Sequence, residues 1–63
     1  MKVEEARKVR EKFLEGDWIK FDDAVEANVT LAIFSLLKKF CEVYNIPVSD
    51  KEIEDFIDKH LKL

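Results

Sequence analysis

Asp22–Tyr44 reads DDAVEANVTLAIFSLLKKFCEVY, and how this stretch is interpreted decides the fold. At about 100° per residue, Ala32, Val25, Val43, Leu36, Val29, Phe40, Ile33, Leu37, Cys41, Phe34 and Ala27 fall on one arc of roughly 220°. An ordinary surface helix needs about half of that. Asn28, Ser35, Lys38, Lys39 and Glu42 form a narrow polar strip on the other side, with Leu31 intruding into it. Such a helix is about 34 Å long, and the rest of the chain can supply only two shorter helices to cover it. One greasy face is therefore expected to meet another chain.

A membrane span is the competing explanation for so apolar a run, and it fails on length. A span needs about 20 apolar residues, whereas Asp22, Asp23 and Glu26 precede the apolar centre and Lys38, Lys39 and Glu42 follow it. The chain has 63 residues, enough for one domain, and at that size only about 60% of the unfolded surface is buried. A small domain usually compensates with disulfides, a metal or self-association. The one cysteine, Cys41, excludes an internal disulfide, and no Cys/His cluster has zinc-site spacing. Self-association is what remains. MKVEEARKVREK has no apolar run of the kind a secretory leader requires, so a cytoplasmic location is expected.

Working outward, Val3, Ala6, Val9, Phe13 and Leu14 recur at helical spacing and predict a first helix over about residues 2–15, with Glu4 and Lys8 as a supporting i,i+4 pair. Arg10 falls within the apolar stripe, where its stem can pack while its guanidinium reaches water. Gly16, the only glycine, stands where a left-handed residue would end that helix. DWIKF, residues 17–21, is a short linker whose large apolar side chains should fold back onto the core, Trp18 as a lid over the end of the bundle. Asp22 is the expected N-cap of the central helix, over about 22–44, with Asp23 and Glu26 favoured by the helix dipole. Pro47 breaks the chain. Ser49 and Glu52 then form a capping box, and Val48 and Ile53 a hydrophobic staple, for a third helix over about 50–62. Its apolar stripe is Ile53, Phe56, Ile57, His60 and Leu61, and its charged face of Asp50, Lys51, Glu54, Asp55, Asp58 and Lys59 reads as a solvated surface. The fold expected is all-α: three helices, short, long and short, in a single-domain bundle completed by homodimerisation through the long central helix.

The sequence offers no catalytic set. His60 and Cys41 are the only His and Cys and lie on different helices. One glycine cannot make a phosphate-binding loop, and inward Glu-x-x-His pairs of the di-metal bundle type are missing. No enzyme activity, catalytic residue, cofactor or metal is expected. Charge is dense at 40% but nearly balanced at −3, which does not favour a polyanion-binding surface built on net charge. The abundance of Lys and Glu, with one Gly, one Pro and no Gln, suits a thermophile's composition.

Two functional classes remain. The first is a small protein-interaction module, an adaptor, accessory subunit or regulator acting as a homodimeric bundle. Its expected dimer interface is Leu31, Phe34, Leu37 and Cys41, with Trp18, Arg7, Lys8, Arg10 and Lys12 as a further partner surface. The partners would be a second copy and another protein, with no membrane. The second class is a nucleic-acid-binding dimer, because the short, long, short layout resembles that of a histone fold, in which the long helices of two chains cross. The resemblance implies basic residues at the first helix and in both loops. Here DWIKFDD is acidic on balance, NIPVSD has no basic residue, and Glu4, Glu5, Glu11 and Glu15 are interleaved with the one basic cluster. Nucleic acid is therefore the disfavoured partner.

Overall fold

The computed structural model describes residues 1–61. It is all-α, with α1 (Val3–Leu14), α2 (Phe21–Val43) and α3 (Asp50–His60) and no strand among the described residues. Each turn has a local cause. α1 ends in a Schellman motif: Gly16 adopts φ +85° while its N–H donates to the Phe13 carbonyl and that of Asp17 to the Lys12 carbonyl. α2 ends in the same way two residues before Pro47. Asn45 takes φ +55°, and Ile46 N–H donates to the Cys41 carbonyl at 2.8 Å. Asn45 thus stops α2, and Pro47 only prevents it from resuming.

α3 opens with both halves of the capping box. Glu52 N–H donates to Ser49 Oγ at 3.2 Å, and Ser49 N–H donates to Glu52 Oε1 at 3.1 Å. The helix ends at His60; Lys62, to which the periodicity extended it, lies outside the described residues. The expected cap of α2 is corrected. Lys20 is its N-cap and contributes no side-chain bond, while Asp22 and Asp23 fall inside the first turn and act on the dipole instead.

α1 lies across α2. Met1 donates its amino group to Glu26 Oε1 at 2.8 Å, and the Arg7 guanidinium stands 5.1 Å from the centre of the Phe34 ring. The residues buried in these two helices are Val3 and Ala6 on α1 and Ala27 and Thr30 on α2. Three of the four are small, which lets the backbones approach closely. Thr30 is buried without loss because its hydroxyl donates to the Glu26 carbonyl at 2.8 Å. α3 packs on the C-terminal half of α2 and on the start of α1. Val3, Ile53 and Ile57 form the core cluster, with Leu31, Ile33, Phe34, Leu37 and Leu61 packed around it.

The charged face of α3 is more than a solvated surface. Asp58 Oδ1 accepts the otherwise unpartnered N–H of Val3 at 2.9 Å and so caps α1 from across the fold. Glu54 pairs with Arg7 at 3.1 Å, and Asp50 with Lys38 at 3.2 Å. The fold turns this face toward its neighbours because α3 lies beside the first turn of α1. Lys51 does remain outside: the hydrogen bond and the charge of Asp55 raise its pKa above the ordinary lysine value.

The assembled chain is elongated, 39 × 21 × 15 Å. It exposes 5002 Å², where a compact monomer of 7.4 kDa is expected to expose about 4,200 Å².

Candidate interaction surface

α2 has two apolar faces, and α1 and α3 cover only one of them. Ala27, Thr30, Phe34, Leu37 and Cys41 share a face at about 120–200° from Val25 on the helical wheel. Ala27 and Thr30 are buried, while Leu31, Phe34, Leu37 and Cys41 are half-buried, the first three with the core cluster inside the chain. This is the side on which α1 and α3 pack, so the expected dimer interface of Leu31, Phe34, Leu37 and Cys41 is partly covered within the chain, with Leu37 and Cys41 at an open edge. The small residues decide it, since a helix can approach Ala27 and Thr30 more closely than the side bearing Val25, Leu36 and Phe40.

The opposite face is bare. Phe21, Val25, Val29, Ala32, Leu36, Phe40 and Val43 are all exposed, Leu36 at 70% and Phe21 at 79%. They form a single stripe along the whole of α2. Tyr44 extends it, its ring tilted against Phe40 with centroids 4.7 Å apart.

Beside the stripe at the C-terminal end of α2 lies an apolar groove of about 390 Å³. Leu37, Phe40 and Cys41 form one wall, Ile46 and Val48 the turn, and Ile53 and Phe56 the other wall. Cys41 is thus half-exposed at a groove, not sealed among Phe34, Leu37 and Ala27. Val48 and Ile53 meet in the same groove, in keeping with the staple. His60 is exposed and tilted against Phe56, with ring centroids 4.8 Å apart.

Trp18 is not a lid. It is 85% exposed, and in the linker it is Ile19 that turns partly inward. Phe13 and Leu14, at the end of α1, stay on the surface with Trp18. The basic residues do not gather into one patch. Arg7 is engaged by Glu54 and the Phe34 ring, and Lys8 is 3.8 Å from Glu4. Arg10 and Lys12 are exposed, Lys12 at a shallow depression shared with Val9, Trp18, Ile19 and Asp23.

Among the described residues no group of His, Cys, Asp and Glu could hold a metal ion, and no helix is long and apolar enough to cross a membrane. Comparisons with protein-family models, with curated proteins and with solved structures returned no match to this chain.

Proposed function

We propose that this chain is a small, non-catalytic protein-interaction module of the cytoplasm that works as a homodimeric helical bundle. The observation that carries the reading is the bare apolar stripe of α2, with Leu36 at 70% and Val43 at 61% exposure. Soluble monomers rarely carry a contiguous apolar patch of more than a few hundred Å². Self-association covers it, and the remaining apolar groups, Trp18 with Phe13 and Leu14, are left for a different protein.

Light scattering at micromolar concentration tests the assembly and should give the mass of two chains; the mass of one chain would reject it. A duplex-DNA titration at two salt concentrations separates the module from the histone-like alternative. A DNA binder loses affinity with salt at a slope of about −0.9 per phosphate neutralised. With Arg7 and Lys8 already paired to Glu54 and Glu4, the expected result is no binding tighter than about 10⁻⁶ M near physiological salt. Tight, salt-sensitive binding lost in Arg10→Ala/Lys12→Ala would replace the adaptor reading with the nucleic-acid one.

A further inference from the structure

We infer that two copies of the chain pair antiparallel through the bare face of α2, about a two-fold axis at the Ala32–Ile33 peptide. This rests on the proposed homodimer and names its face, direction and register.

The stripe has the right period. Phe21, Ala32 and Val43, then Val25 and Leu36, then Val29 and Phe40, recur at an ~11-residue period, or about 3.67 residues per turn. That is close enough to the helix's own period for the stripe to stay on one side of α2 from end to end. It is also self-complementary. Val25 and Phe40 are equidistant from the Ala32–Ile33 peptide, as are Val29 and Leu36, and Phe21 and Tyr44. A two-fold axis there sets these residues against one another, as an isologous contact requires, and leaves Val43, at the end of the stripe, opposite Asp22.

Side-chain size follows the same axis. Ala32 is small, where crossing helices come closest, and Phe21, Phe40 and Tyr44 are large, where they diverge. Dipoles and charge favour one direction. Antiparallel pairing opposes the helix dipoles, and it brings the acidic first turn of one copy, Asp22 and Asp23, to the end of the other that carries Lys39 and Glu42 and the Asp50-paired Lys38. Parallel pairing would place the acids together. The chain also has surface to bury: the 5002 Å² it exposes is about 800 Å² more than a compact monomer of its mass.

Cysteine cross-linking in a Cys41→Ser background tests this, with chain mass measured by light scattering and folding checked by circular dichroism. Under mild oxidation Ala32→Cys should give a covalent dimer, whereas Lys51→Cys on the outer face of α3 should not. Val25→Cys chains mixed with Phe40→Cys chains should link to each other while neither links to itself. Leu36→Glu, exposed in the single chain, should stay helical and fall to the mass of one chain. Self-linking of Val25→Cys would overturn the antiparallel direction. A chain of dimer mass that fails to link at Ala32→Cys would overturn the face and leave the homodimer standing. A parent chain with the mass of one copy would overturn both.

Discussion

Ser49 and Asn45 show how much of this fold is written in single residues. At Ser49 the reciprocal bonds with Glu52, at 3.2 and 3.1 Å, lie three residues apart in sequence, so the boundary could be read directly. Ser49→Ala should lower stability by about 1 kcal/mol without changing the assembly mass. Denaturant midpoints would show it, and an unshifted midpoint would mean that the box contributes nothing to α3. Asn45 was legible in principle, since Asn is the residue other than Gly that tolerates the left-handed conformation, but Pro47 two residues later gave a louder signal for the same break. Asp58 was not legible at all. Its partner, the Val3 N–H, is 55 residues away, and nothing local distinguishes an acid that caps a distant helix from one that faces water.

At the scale of the helix, the sequence shows that α2 has two apolar faces and does not show which one its own chain covers. Periodicity counts apolar residues, and by that measure Phe34, Leu37 and Cys41 are as fit for an interface as Val25, Leu36 and Phe40. What separates the faces is volume: the covered face carries the small, buried Ala27 and Thr30, and the bare one carries Val25, Leu36 and Phe40. If small residues set the packing face, Ala27→Leu should overfill the α1–α2 contact and cost about 1–3 kcal/mol. Chemical denaturation followed by circular dichroism measures this. Retention of full stability would mean that α1 is held chiefly by the Val3–Ile53–Ile57 cluster and that the choice of face has another cause. Trp18 was not legible for a related reason. A large apolar residue in a short linker is expected to turn inward, but it is Ile19 that does so while Trp18 stays 85% exposed, and composition does not say which of two adjacent apolar residues will be covered.

For the whole molecule the governing quantity is surface. Five apolar side chains and Thr30 are buried among the described residues, a small interior for a chain that must offset the backbone entropy of three helices. If a second copy covers the bare stripe, stability and association become one equilibrium, and the melting temperature must depend on chain concentration. A tenfold rise in concentration contributes about 1.4 kcal/mol per dimer. At about 2.1 cal/mol/K of unfolding entropy per residue, shared over both chains, that corresponds to an upward shift of roughly 5 °C. Thermal melts at 5, 50 and 500 µM would resolve the shift easily. Leu36→Glu, with the stripe interrupted, should melt lower and at a temperature that no longer responds to dilution. A parent chain whose melting point stays fixed across the same range would mean that this small core is sufficient alone and that the apolar face of α2 is not covered by a second copy.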